Sequence, residues 1–526
     1  MGDKRISETK EKPREDAIAT NSTHQPTAAP YDLMSATEAG IVAAYVQPRN
    51  TMERWVNKLE SLAGIEARGI ERVPESIKAE KTTTGDYVQM CLIWLSANLT
   101  ANNMMIGMLG PLNFALGLRD SMLLATFGSL IGGAGSSYIA SFGPASGNRT
   151  LVIARYTMGW FPSRLCVALN IVIMLGYGII DILAAGEIMS AVNGKGMSVI
   201  VGVIVAAAIS LVICVVGIRL FHSYERWAWL PQVIVVLILI GVSGPYWDPT
   251  SLSSGSGAAK SADQASFFFL CLASPLSWSP AAADFFVYFP TNCKRWKVAL
   301  ATTLGLGGSC MISYYIGVGL ASGVAGKESW AVAADKGLGI LLVEAYRPLG
   351  AFGNFCSVVI ALGVISNNIP GTYSAALSFQ LLGCWMQKLP RFLWTVIVVI
   401  IYTSCACVGR NELYGIIQNF VVIMGYWTAA WITISVEEEY IFRRRNGGYD
   451  WSVWNDPKKL PVGLAACIAF LAGWAGAVLG MWQTWFTGPI AKLVASGIDI
   501  GIPLSISWTA LIYPPLRYAE LRYFNR

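Results

Sequence analysis

From about residue 86 onward, apolar stretches close to twenty residues long alternate with short polar or basic connections. A segment needs about 20 predominantly apolar residues to cross a bilayer. Twelve stretches qualify, centred near residues 102, 130, 178, 207, 235, 278, 310, 364, 400, 423, 472 and 502. The pattern predicts an all-α integral membrane protein with twelve transmembrane helices, numbered here as spans 1 to 12.

Four spans break the apolar pattern. Span 1, CLIWLSANLTANNMMIGMLGP, carries Ser96, Asn98, Thr100, Asn102 and Asn103 near its middle. Span 3 holds two carboxylates, Asp181 and Glu187, and span 6 brackets Trp278 between Pro275 and Pro280. Span 8 passes from FCSVVIALGVI into SNNIPG, where the adjacent amides Asn367 and Asn368 precede Pro370 and Gly371.

A polar group facing hydrocarbon costs several kcal/mol unless it meets a partner or lines a cavity, so these residues should converge inside the bundle. Spans 1 and 6 are interrupted and lie five apart. That spacing predicts a five-plus-five inverted repeat with helices 1 and 6 broken, and half-helix ends pointing at a midplane site. Pro370 should break span 8 as well, because it removes the backbone donor that would serve the Ser366 carbonyl. Asn367 and Asn368 then offer donors and acceptors to the edge of a planar polar ligand. Trp278, held at a helix break, can stack on such a ligand. The competing role for each amide is an interhelical hydrogen bond. Tyr177 and Asp181 are four apart and share a helix face. Glu187 points elsewhere. Buried carboxylates suggest proton handling at Asp181 and Glu187, with structural pairing as the alternative.

Composition agrees with the pattern. The chain is 54% hydrophobic and 13% charged, against about 25% charged in soluble proteins. Its net charge of +6 is mild and gives no reason to expect nucleic acid. The cations instead mark one face: Arg149, Arg155, Arg164, Arg219, Arg226, Lys294, Arg295, Lys297, Lys388, Arg391, Arg443, Arg444, Arg445, Lys458 and Lys459 follow even-numbered spans. The loops after odd-numbered spans are poorer in them, which places both termini in the cytoplasm. Residues 1–85 read as a cytoplasmic tail, mostly disordered, with an amphipathic helix possible within 50–80. Residues 86–515 are expected to form the transmembrane domain, and 516–526 a short cytoplasmic C-terminus. The 11 cysteines are scattered, without metal-ligand spacing. No metal or cofactor is expected; the partners implied are the lipid bilayer, protons and a small molecule. The only histidines, His24 and His222, fall in the tail and a loop, which argues against a membrane-embedded enzyme. A channel or a non-transporting nutrient receptor stays open on this evidence, because broken helices also build filters and pockets.

Four segments together resemble the nucleobase:cation symporter-1 family, and within it the fungal purine–cytosine permease branch: WLSANLTANNMMIGMLGPLNFALGLRDS, SFGPASGNRTLVIARYTMGWFPS, ADFFVYFP and SNNIPGTYSAALSFQ. The resemblance runs from about residue 50 to the C-terminus, where YPPLRYAELRYFNR fits the same branch. It implies a leucine-transporter-like fold and proton-coupled import of cytosine and purines such as adenine, guanine and hypoxanthine across the plasma membrane. It further implies that the base stacks on Trp278 and is held by Asn367, with the span 1 cluster from Ser96 to Asn98 lining the site. Sodium-coupled relatives place hydroxyls in span 8 before that asparagine; the matching stretch here, Val358, Ile360, Ala361 and Leu362, has none, which implies protons. In span 3 the branch usually has Trp and Asn where this chain has Tyr177 and Asp181. The branch also contains vitamin B6 transporters, so pyridoxine or another small heterocycle is the alternative substrate.

Overall fold

The computed structural model describes residues 70–526, apart from Gly217, Cys384, Gln387, Lys388, Pro390, Arg445, Asn446, Ala495, Ser496 and Asn525. Expectations for the tail up to residue 69, including His24 and most of the amphipathic helix within 50–80, lie outside the described residues. So do Lys388 and Arg445, and the side chains of Arg219, His222 and Arg226.

The described chain is helical, with an isolated bridge between Trp482 and Thr487 instead of a sheet. In order come α1 (Thr84–Asn98), α2 (Ala101–Asn113), α3 (Leu118–Ala140), α4 (Thr150–Met158), α5 (Ser163–Asn193), α6 (Val199–Val216) and α7 (Ile218–Ser243). There follow α8 (Gly257–Leu276), α9 (Ser279–Ala282), α10 (Arg295–Thr302), α11 (Gly308–Ser322), α12 (Glu328–Lys336) and α13 (Leu338–Tyr346). The last are α14 (Ala351–Leu382), α15 (Arg391–Val408), α16 (Leu413–Glu437), α17 (Leu464–Gly480) and α18 (Gly501–Phe524). Among the described residues, eight helical segments are long and apolar enough to span a membrane, and α6 and α17 are shorter apolar helices. A total of twelve is reached only by adding those two, the broken pair α1–α2, and α18. Residues 516–524 continue α18.

Side-chain placement follows the solvent expected of a bilayer. Leu123, Phe127 and Ile131 recur every fourth residue on the outside of α3, while Ser129 and Ser136 on the same helix are fully buried. Outward apolar and inward polar faces invert the arrangement of a soluble bundle.

Spans 1 and 6 are broken, and the sequence explains how. At Leu99–Thr100 the asparagines compete with the helix for backbone partners. Asn103 N–H donates to Asn102 Oδ1 (2.9 Å) in place of the Leu99 carbonyl, and Asn103 Nδ2 donates to the Asn98 carbonyl (2.8 Å). At Ser277–Trp278 the prolines withhold donors, and hydroxyls replace them. Ser279 Oγ donates to the Leu276 carbonyl (2.5 Å), Ser136 Oγ to the Pro275 carbonyl (2.6 Å), and Tyr314 OH to the Cys271 carbonyl (3.4 Å).

Span 8 corrects the expectation of a third break: α14 continues through Pro370 for its full 32 residues. Pro370 withholds one donor, from the Ser366 carbonyl, and that single loss does not end a helix that continues on both sides of it. Thr372 Oγ1 donates to the Asn368 carbonyl (2.9 Å), and Cys214 Sγ of α6 lies 3.8 Å from the Ile369 carbonyl. Pro275 and Pro280, by contrast, flank a real interruption.

A candidate substrate cavity between two helix breaks and an unbroken helix

The second break, α5 and α14 enclose a small cavity. Helix α5 contributes Met174, Tyr177 and Asp181 at helical spacing, and α14 contributes Asn367, Asn368 and Gly371. Ser277 and Trp278 come from the break between α8 and α9. The unfilled space has room for about one water molecule, so the walls must part to admit a ring.

Each polar wall is held from behind. Asn102 Nδ2 donates to Asp181 Oδ1 at 2.7 Å, and Asn102 Oδ1 in turn accepts from Thr100 Oγ1 and the Asn103 amide. The break in span 1 is therefore tied directly to the carboxylate on α5. Asp181 is buried and faces an amide, with no ion-pair partner among the described residues. Tyr177 OH and Ser277 Oγ share a hydrogen bond of 2.7 Å, linking α5 to the second break. The half-buried Trp278 ring stands edge-on to Trp94 with centroids 5.7 Å apart, which fixes its plane beside the cavity.

The carbonyls at the end of α1 are served by side-chain amides and a hydroxyl. Asn367 Nδ2 donates to the Ala97 carbonyl, Ser313 Oγ to the Asn98 carbonyl (3.0 Å), and Gln232 Nε2 to the Leu99 carbonyl (2.9 Å). Gln232 comes from α7, and Gly363 of α14 makes room for it. A Cβ on Gly363 would run into the Gln232 amide.

The structure thus brings Tyr177, Asp181, Trp278, Asn367 and Asn368 together, and it places the other expected residues elsewhere. Asn368 lines the cavity but gives its Nδ2 to Tyr402 OH (3.1 Å) and Ser210 Oγ (3.3 Å), anchoring α14 to α15 and α6. Ser96 and Asn98 are buried in α1 and do not line the cavity. Asn98 belongs to the break itself, its Nδ2 donating to the Trp94 carbonyl (3.1 Å). Glu187 lies about 9 Å further along α5, six residues at 1.5 Å each. There its Oε2 accepts from the Gly339 N–H (2.9 Å) in the first turn of α13. A carboxylate at a helix N-terminus is a stabilising placement.

Residues to which the sequence reading gives no place in the site are Met174, Ser277 and Gly371 in the walls and Gln232 behind them; Asn102 is named only as one of the span 1 polar cluster. Helical spacing carried the signal for two: Met174 is three before Tyr177, and Gly371 is four after Asn367. Gln232 was visible as a lone amide beside Pro231, ahead of the apolar run VIVVLILI.

Comparison with known proteins follows the same lines. Residues 77–496 match a family model described as permease for cytosine/purines, uracil, thiamine, allantoin. The purine-cytosine permease fcyB of Emericella nidulans is 33% identical over 473 residues, covering 90% of this chain and 92% of its own. The vitamin B6 transporter TPN1 of Saccharomyces cerevisiae is 30% identical over 524 residues, covering 90% of each. Among solved structures, Mhp1, a nucleobase-cation-symport-1 family transporter, superposes in a closed conformation with bromovinylhydantoin bound. The TM-score is 0.63 at 12% identity, over 83% of this chain and 92% of that one. Its inward-facing conformation gives 0.65, also at 12% identity, over 86% and 95%. At that identity the likeness establishes the fold, the five-plus-five architecture with helices 1 and 6 broken.

Proposed function

The chain belongs to the permease family for cytosine/purines, uracil, thiamine and allantoin, and is a membrane transporter rather than an enzyme; from that premise we propose that it imports nucleobases, cytosine and purines, together with protons. The observation that carries this reading is the cavity. Its walls offer a flat ring at Trp278, an amide at Asn367 and a carboxylate at Asp181, which together fit a small planar heterocycle with hydrogen-bonding edges. The base stacks on Trp278, and its polar edge meets Asn367 and Asp181. Rocking of the helices around this midplane site exposes it to one side and then the other.

Protons are favoured over sodium on two grounds. Exposed carbonyls at a half-helix end are where a coupling cation sits in transporters of this architecture. Here the Ala97 and Leu99 carbonyls already accept from Asn367 and Gln232. Asp181 meanwhile supplies a titratable group facing the substrate, and it takes the coupling proton. Glu187, bonded to α13, anchors that helix. Residues 86–515 act as the transporter domain in the plasma membrane, with the tail at 1–85 and residues 516–526 in the cytoplasm beside the basic loops.

Vitamin B6 is the second reading. Asp181 stands where a carboxylate can pair with a protonated or donor-rich ring, and TPN1 is among the similar proteins. The test is uptake of radiolabelled cytosine in fungal cells lacking their own permeases, with unlabelled adenine, hypoxanthine, uracil and pyridoxine as competitors. Saturable uptake, blocked by purines and abolished by a protonophore, supports the nucleobase symporter. No cytosine uptake from protein at the cell surface, with pyridoxine carried instead, overturns it in favour of the second reading.

A further inference from the structure

The faces of α5 and α14 that line the cavity do not end with it. On α5, Asp181, Tyr177 and Met174 continue at the same spacing to Asn170; on α14, Asn367 and Gly371 continue to Ser374 and Ser378. The two helices run antiparallel, so both stripes leave the cavity in the same direction, towards the end of the bundle that carries the basic loops. They meet there. Asn170 Nδ2 donates to Ser378 Oγ (2.9 Å) and Ser374 Oγ (3.4 Å), and Ser378 Oγ donates to the Ser374 carbonyl (2.8 Å). Asn170 is fully buried, and its Oδ1 has no partner among the described residues. Turning the amide over would only leave the NH₂ half unserved instead.

The surroundings make this cluster conspicuous. Cys166, Val167 and Ile173 on α5, and Ala375, Ala376 and Leu381 on α14, are all buried and apolar. Apolar side chains would hold this interface together without stranding an amide oxygen, whose desolvation outweighs what an interhelical hydrogen bond returns. A cluster built only for packing has no use for an open acceptor. A heterocycle leaving the cavity does, because it carries ring N–H or exocyclic amine donors.

We propose that Asn170, Ser374 and Ser378 form a transit subsite for the same heterocycle, about 6 Å along α5 beyond Met174, which receives its donor edge as the cavity opens towards the basic face. Asn170 Oδ1 accepts from the ring, and the two serine hydroxyls replace the hydrogen bonds left behind at Asn367. The subsite rests on the reading of the chain as a heterocycle carrier.

The experiment uses the full-length protein in proteoliposomes, with radiolabelled cytosine, adenine and pyridoxine as probes. Four proteins are compared: wild type, Asn170→Leu, Asn170→Ser and the double variant Ser374→Ala with Ser378→Ala. Equilibrium binding in detergent is measured alongside transport. Asn170→Leu is expected to bind the transported probe within about twofold of wild type while its maximal rate falls at least about tenfold. Asn170→Ser, which keeps a polar group, should recover a substantial part of the rate. The serine double variant should slow transport in the same sense, and it stays informative if Asn170→Leu does not fold. Rates within about twofold of wild type for all variants would overturn the subsite, as would losses of rate matched by equal losses of binding. Wild-type protein that carries none of the three probes would instead refute the carrier reading itself, and the subsite with it.

Discussion

Replacing Gln232 by leucine isolates one contact at the first helix break. The two side chains are close in volume, so the change removes a donor without opening a void. What it leaves is the Leu99 carbonyl, whose helical partner, the Asn103 N–H, is already committed to Asn102. Gln232 is 3% exposed and its bond to Leu99 is 2.9 Å, so the loss occurs out of reach of water. An unserved buried carbonyl costs about 1–3 kcal/mol, while interhelical hydrogen bonds in membranes average about 0.6 and reach about 1.7. A cost of about 1–2 kcal/mol corresponds to a factor of about 5–30 in an equilibrium. If the break holds Ala97 towards Asn367 only while Leu99 is capped, the binding-competent fraction falls by that factor. Apparent affinity then weakens to match. The assay is the KM for uptake together with the melting temperature of the purified protein. Gly363→Ala supplies a control from the opposite side, since its methyl would displace the same amide. Both changes break one contact, so the double variant should fall well short of the sum of the singles. If Gln232→Leu keeps the wild-type KM and melting temperature, or if the two changes add within about 0.5 kcal/mol, the capping argument is wrong.

Three other outcomes follow from the site and its supports. Asp181→Asn keeps an acceptor for Asn102 but cannot titrate. It should equilibrate substrate without concentrating it, whereas wild type with one coupled proton can reach about 100-fold accumulation across two pH units; unchanged accumulation would acquit Asp181 and send attention back to Glu187. Trp278→Ala should raise KM by an amount equivalent to about 1–3 kcal/mol, the usual worth of a base stacked on an aromatic ring, with Trp278→Phe milder. Arg517→Leu takes two 3.0 Å bonds from the fully buried Glu438 and leaves it to Arg443 and Tyr513; the cost should be about 1.5–3 kcal/mol, read as reduced surface expression and a lowered melting temperature.

Much of this site could be read from the sequence because the breaks advertise themselves. Two prolines around Trp278 and a run of amides in span 1 each withhold or divert backbone donors, and such effects act within a turn or two of the residues that cause them. Pro370 misleads for the same reason. It withholds a donor from the Ser366 carbonyl, but α14 runs on through it inside a packed bundle, and the helices around α14 are not written in its own sequence.

The two carboxylates of span 3 make that limit sharper. Asp181 and Glu187 sit six apart in one apolar run, both buried, and nothing local tells their roles apart. What separates them lies across the bundle. Asp181 looks into a cavity and meets an amide that is itself part of a helix break, so a change in its charge is felt where the half-helices meet. Glu187 meets the first turn of α13, and the backbone there comes close because it is glycine. A Cβ on Gly337 or Gly339 would press on the Glu187 side chain. The stretch LysGlyLeuGly before α13 gives that room away, though only once α5 is known to pass behind it. Function in this bundle is therefore set less by which polar residue a span carries than by what the opposite helix leaves open. A carboxylate backed by an amide and facing empty space is available to a proton and a ligand. One that caps a helix is already in use.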